Sequence, residues 1–180
     1  MHTYIGLLRG INVGGHKKII MAEFRDLLEK NGFHDVQTYI QSGNIVFKHP
    51  DVHIDLITSQ LEDVIKNHYQ FEVQTLVLTR TYLDTIFNQN PFINDDSIDE
   101  TKSVFTFLKT EPDSEKLDEL KKVSFPNETI IFGDQVIYFY CSTGYGTAKF
   151  THTFIERKLK VQATSRNYRT TKKLIDMSAS

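Results

Sequence analysis

Read from its N-terminus, the chain alternates short apolar runs with stretches whose hydrophobic residues recur at helical spacing. Residues 3–9, TYIGLLR, are apolar and aromatic, and the pattern predicts a buried strand. In the following MAEFRDLLEKNGF, Met21, Phe24, Leu27 and Leu28 form one helical stripe, and Gly32 supplies a C-terminal stop. VQTYI and NIVFK read as two strands separated by Gln41, Ser42 and Gly43, a spacing with the turn chemistry of a hairpin. Asp51 opens a second helix whose apolar stripe is Ile54, Ile57, Leu61, Val64 and Ile65, and VQTLVL at 73–78 closes the series as a strand. Strand, helix, strand, strand, helix, strand is the order of a ferredoxin-like, split βαβ module.

The order recurs. A short helical segment, TYLDTIFNQN, and an acidic loop, NDDSIDE, lead to a strand at 103–108 and a helix over SEKLDELKKV with Leu117 and Leu120 turned inward. ETIIF and QVIYFYC flank Gly133 and Asp134, a second hairpin signal. A helix over about 147–159 sets Phe150, Phe154, Ile155 and Leu159 on one face. VQAT is a short closing strand, and Ser165 or Asn167 caps a last helix ending near Met177. The expectation is an α+β fold of two ferredoxin-like βαββαβ repeats with mainly antiparallel sheets, plus a C-terminal helix. The halves are 1–79 and 80–180, with a linker over 80–101, and they share element order without evident residue identity.

Composition narrows the class. With 39% hydrophobic, 12% aromatic and 24% charged residues in 180, the chain can bury a core and is neither disordered nor in need of disulfide staples. Its single Cys141 excludes an intrachain disulfide. No N-terminal signal h-region is present, and charges interrupt every apolar run before a bilayer could be spanned, so no membrane association and a cytoplasmic location are expected.

The net charge of −2 conceals an asymmetry. Lys and Arg against Asp and Glu number 6 to 4 over residues 1–50, 7 to 17 over 51–143, and 8 to 2 over 144–180. A basic tail behind an acidic middle either faces that middle, meets an external anion, or is merely an uneven solvated surface.

Three stretches invite a ligand reading. In LLRGINVGGHKK a strand breaks into three glycines, an asparagine and two lysines. Strands one and two of a βαββαβ unit run the same way, so this loop and the Gln41–Asn44 turn are expected on one rim of the sheet. There Arg9, Asn12, Gly14, Gly15, Lys17, Ser42 and Asn44 can meet an oxyanion through backbone N–H groups, cations and neutral donors. The pattern is neither G-x-G-x-x-G nor a P-loop, and the same glycines can serve only as positive-φ turn residues or contact another protein. CSTGYGTAKF repeats the motif with Lys149, expected in the first turns of a helix, where a cation opposes the macrodipole and asks for an anionic partner. TSRNYRTTKKL offers Arg166, Asn167 and Arg169 to phosphates and Tyr168 to a base or ring, although an amphipathic helix with a basic outer face has the same pattern.

Other chemistry is missing. His49 and His53 are four apart but separated by Pro50 and Asp51, so they share no helical face and no metal site is expected. NDDSIDE lacks the spacing of a calcium loop, Cys141 has no diagnostic histidine, and Ser42 has no G-x-S-x-G surroundings. No carboxylate pair stands out for acid-base work, and no cofactor is implied.

The run YIGLLRGINVGGHKKIIMAEFRDLLEKNGFHDVQTYIQSGNIVF, with GYGTAKFTHTFIERKL and ATSRNYRTTKKL later, resembles the bacterial domain of unknown function 1697 family. The resemblance implies a cytoplasmic protein of two ferredoxin-like halves and brings no activity, substrate or catalytic residue. Its recurring pieces fall on Arg9–Gly15, Ser42–Asn44 and Arg166, Asn167, Arg169 and Thr170, with Tyr168 where tryptophan would be expected. The leading expectation is binding of a phosphate-bearing small molecule or nucleic acid. The alternatives are an interaction module using an exposed sheet edge, or an enzyme on an anionic substrate.

Overall fold

The first apolar run is strand β1 (His2–Leu8), and the stripe after it is helix α1 (Met21–Lys30), with Met21, Phe24 and Leu28 buried. The computed structural model describes residues 1–93 and 95–179; Asn94, which opens the expected acidic loop, and Ser180 lie outside them. Strands β2 (His34–Tyr39) and β3 (Asn44–His49), helix α2 (Ile54–Tyr69) and strand β4 (Thr75–Thr79) complete the first series. Helix α3 (Arg80–Asn88) follows directly. The second series is β5 (Ser103–Leu108), α4 (Ser114–Lys121), β6 (Glu128–Phe132), β7 (Val136–Cys141), α5 (His152–Leu159) and β8 (Ala163–Asn167), and α6 (Tyr168–Ser178) ends it.

Two four-stranded sheets result, ordered β2-β3-β1-β4 and β6-β7-β5-β8, and every pairing is antiparallel. The chain divides into two compact units, one of residues 1–84 with 172–180, the other of residues 85–171. The division therefore falls inside α3 and inside α6, whereas the sequence reading keeps the whole terminal helix with the second half.

Side chains alternate across each strand, which explains the first core. Tyr4, Leu8, Ile45, Phe47 and Val77 meet the buried stripes of α1 and α2, and Phe33 contacts Phe47 edge-on with centroids 5.1 Å apart. Gly6 is required by this close packing, because a Cβ there would sit 2.6 Å from Ile45 Cγ1. The second core gathers Phe139, Phe150, Leu120, Ile155 and Leu159.

Several boundaries differ from the sequence expectation: β4 begins at Thr75 and not at Val73, β8 covers Ala163–Asn167 where VQAT is expected, and three further differences lie in turns and helix starts. Ile40 leaves the strand pattern and joins the turn after β2, with φ 49° and a side chain 53% exposed. Asp51 does not open α2; its carboxylate accepts from His53 N at 2.9 Å, and the helix begins at Ile54. The expected helix over 147–159 is instead a single 3-10 turn at Tyr145–Thr147, a break, and α5 from His152, where Thr151 caps by accepting from Phe154 N.

Candidate functional site

Because β1 and β2 both run antiparallel to β3, they run parallel to each other and deliver their C-terminal ends to one rim. Leu7 lies opposite Asn44, Leu8 N donates to Gly43 O at 2.8 Å, and Arg9 N donates to Gln74 O at 3.0 Å. The glycine loop and the Ser42–Gly43–Asn44 turn are neighbours, as the topology requires. Gly43 (φ 81°) is seated so tightly that a Cβ would lie 2.6 Å from Leu8 Cβ.

The loop is a small hairpin of its own. Asn12 N donates to Lys17 O at 3.1 Å and His16 N to Val13 O at 3.0 Å, closing a turn whose central residues are Gly14 (φ 58°) and Gly15 (φ 79°). Two successive positive φ values are what a type I′ hairpin turn needs, and glycine supplies them without a Cβ clash. This corrects the picture of a loop running into a helix N-terminus: the glycine amides sit at the hairpin tip, and α1 begins only at Met21. A turn with paired positive φ folds the chain back on itself, and both glycines are exposed.

Asn12 locks the hairpin down. Its Nδ2 donates to Ile19 O at 3.1 Å and to Gln41 O at 2.8 Å, while Oδ1 accepts from Ile19 N at 2.9 Å. Both amide donors are thus spent joining the hairpin, the approach to α1 and the β2–β3 turn. Asn44 is fully buried and donates to Tyr39 O at 3.2 Å and Ser42 Oγ at 3.0 Å. Asn12 and Asn44 are therefore scaffold, where the sequence reading offers them as donors to a ligand.

Cations lie at the start of the loop and along its return arm. Arg9 Nη1 donates to Gln74 Oε1 at 3.0 Å, and the exposed Lys17 donates through Nζ to Glu72 O at 2.7 Å. His16 and Lys18 are exposed. Glu72 is the acid near this group; the Lys66 ammonium, and more weakly Lys17, holds its carboxyl below the usual range. Three large apolar side chains, Val13, Ile20 and Ile40, lie exposed in the same loops, a feature the periodicity gave no sign of. Ile40 in particular belongs to the alternation of VQTYI and is displaced by the turn.

In the other unit, β7 and β8 end at the rim where β5 begins, since Ser103 pairs with Tyr140 and Val104 with Asn167. Lys149 does not lie in the first turns of a helix. It precedes α5, and its N–H donates to Glu128 Oε1 at 2.6 Å, while Phe150 N donates to Glu128 Oε2 at 3.1 Å. The anion this segment asks for is supplied by Glu128, a residue with no local sequence signal because it lies two elements away. Arg166 Nη1 donates to the Ser165 carbonyl at 3.0 Å. Asn167 caps α6, accepting from Thr170 N at 2.9 Å. Tyr168 is 7% exposed, with its ring 5.2 Å from that of Phe87 and its hydroxyl donating to Glu100 at 2.9 Å, so it is a core residue and offers no open stacking face. Arg169 is exposed.

Among the described residues no three His, Cys, Asp or Glu side chains are grouped to hold a metal ion, and no helix is long and apolar enough to cross a membrane. Cys141 is a buried free thiol, with Sγ 3.3 Å from Thr143 Oγ1.

No curated protein matches the chain. Among solved structures it is similar to the conserved bacterial protein SP0830 from Streptococcus pneumoniae, at 26% identity and a TM-score of 0.78, with 98% of each chain covered. Residues 1–138 match the family described as "Protein of unknown function (DUF1697)", a span that takes in the hairpin, its asparagine lock and Glu128. The chain belongs to that family.

Proposed function

We propose that this is a cytoplasmic protein of two ferredoxin-like modules, 1–79 and 80–180, that binds a phosphate-bearing ligand, nucleotide or nucleic acid, at the rim where β1 ends. The module assignment draws support from strand orders β2-β3-β1-β4 and β6-β7-β5-β8 combined with the βαββαβ element order. The observation that carries the ligand reading is the locked hairpin. It presents the exposed Gly14–Gly15 turn, whose amides have no protein acceptor among the described residues, beside exposed His16, Lys17 and Lys18. Amides fixed in advance, next to cations, match phosphate oxygens without a large ordering cost. Asn12, Ser42 and Asn44 hold the turn; Arg9, Gly14, Gly15 and Lys17 meet the ligand. On the other unit Lys149, Arg166 and Arg169 supply further cations for a ligand, and Asn167, which caps α6, positions the start of that helix beside Arg169.

A second reading rests on Val13, Ile20 and Ile40, 66%, 59% and 53% exposed, which suit a protein partner better than a phosphate. Titration with a nucleoside triphosphate and with a single-stranded oligonucleotide at several salt concentrations separates the two. The ligand reading expects binding that weakens as salt rises, and a log–log salt slope smaller by about 1 in Lys17→Ala or Lys18→Ala. Absence of salt-sensitive binding to either probe refutes it.

A further inference from the structure

β2 and β6 occupy the same edge position in the two sheets, yet they are finished differently. β2 is interrupted between His34 and Gln37, where Asp35 takes φ 50° and its carboxylate pairs with Lys48 at 2.8 Å. A bulge and a charge are the devices that keep a sheet edge from recruiting another strand. β6 has neither. Its register with β7 is continuous from Glu128 to Phe132, and its outward side chains are Thr129, which is exposed, and Ile131, 37% exposed.

The ladder shows which backbone groups β6 offers. Ser142 N donates to Asn127 O at 3.0 Å and Gly133 N to Val136 O at 2.8 Å, so the odd-numbered residues of β6 bond to β7. The N–H and C=O groups of Ile130 and Phe132, and the carbonyl of Glu128, consequently point away from β7. Among the described residues no strand pairs with that side. Glu128 N is already bonded to Phe125 O at 3.3 Å.

We propose that β6 pairs with β6 of a second copy of this chain, antiparallel about a twofold axis at Ile130, to make one sheet continuous through both copies. The register fits itself. Ile130 faces Ile130 of the second copy and the two exchange N–H···O bonds, while each Phe132 N–H meets the free carbonyl of Glu128 across the axis. Glu128 N–H, the one outward donor already engaged, needs no partner. Thr129 and Ile131 fall opposite each other, a β-branched cross-strand pair. Charge agrees with the same register: each Glu128 stands across from Phe132 and never from another carboxylate, and its own carboxylate is turned to the Lys149 and Phe150 amides. A second copy therefore answers both outward groups of Ile130, the Phe132 N–H and the Glu128 carbonyl, while the Phe132 carbonyl, opposite the engaged Glu128 N–H, stays with solvent.

The test is sedimentation of the full chain from micromolar to millimolar concentration, with amide hydrogen exchange followed by NMR. Expected are a monomer–dimer equilibrium and Ile130 and Phe132 amides protected only where the dimer is populated. In Thr129→Lys/Ile131→Lys, lysines stand directly opposite each other, and the dissociation constant should rise about tenfold or more. Ile130→Pro, which removes an outward N–H and no bond to β7, should also weaken the dimer; circular dichroism verifies that both variants fold. A chain monomeric throughout overturns the proposal. So does a dimer that survives the double lysine variant, one whose Ile130 and Phe132 amides exchange freely, or an edge protected only by an added foreign peptide.

Discussion

Replacing Asn12 tests whether the hairpin is held by the lock described here. The side chain makes three hydrogen bonds of 2.8 to 3.1 Å, and the residue sits at φ 54°, a region asparagine tolerates better than alanine. At about 1 kcal/mol net for each bond, somewhat less for the exposed one to Gln41 O, Asn12→Gly should lose about 2–3 kcal/mol while keeping the backbone conformation unstrained. Asn12→Ala adds the left-handed penalty and should lose about 3–4 kcal/mol. The assay is urea unfolding of the ligand-free protein, backed by thermal melting, where each kcal/mol lowers the midpoint by about 2–4 °C in a chain of this size. A loss below about 1 kcal/mol in Asn12→Gly would refute the lock and return the Asn12 amide to the pool of ligand donors.

Gly43→Ala should be among the most damaging small substitutions, because the new Cβ meets Leu8 Cβ at 2.6 Å and Leu8 O at 3.0 Å at φ 81°; a loss of about 2–4 kcal/mol in the same unfolding assay is expected. Tyr138→Phe leaves the Ile86 carbonyl, now bonded at 3.0 Å within the second unit, without its donor and should cost about 1–3 kcal/mol. Burial pushes the Tyr138 hydroxyl up to about 12, so its contribution is complete below the ordinary tyrosine pKa of about 10 and fades as pH climbs toward 12; ultraviolet difference titration of the wild type against Tyr138→Phe should show this phenol ionising above the ordinary tyrosine range. Asp35 is held below the usual carboxylate range first by its hydrogen bond to Lys48 and then by that cation's charge. The associated stability is present above the ordinary aspartate pKa and is lost on acidification below it, and in Lys48→Met an NMR titration should find Asp35 moved up toward the ordinary value.

Most elements were legible because their signals are local. The stripe Met21, Phe24, Leu28 reports which helix face is buried, and the apolar run Ile45–Phe47 marks a strand buried on both faces; both are settled by local pattern alone. The meeting of the glycine loop with the Ser42–Asn44 turn followed from strand direction, a consequence of element order. The use of each polar group was not legible. Asn12, Asn44 and Tyr168 have the chemistry of ligand contacts, and each is instead committed to a carbonyl, a hydroxyl or a carboxylate within the protein.

The amino-acid sequence by itself determined the element order, the two hydrophobic faces of each repeat and the rim at which the loops gather, since these depend on periodicity and chain connectivity. Tertiary structure alone decided that Glu128 answers the Lys149 and Phe150 amides, that Gly14 and Gly15 crown a hairpin, and that β6 keeps a bare edge where β2 is closed by a bulge. The reason is physical: a hydrogen-bonding group finds its partner by position in space, and positions far apart in the chain are brought within bonding distance only when the sheets close.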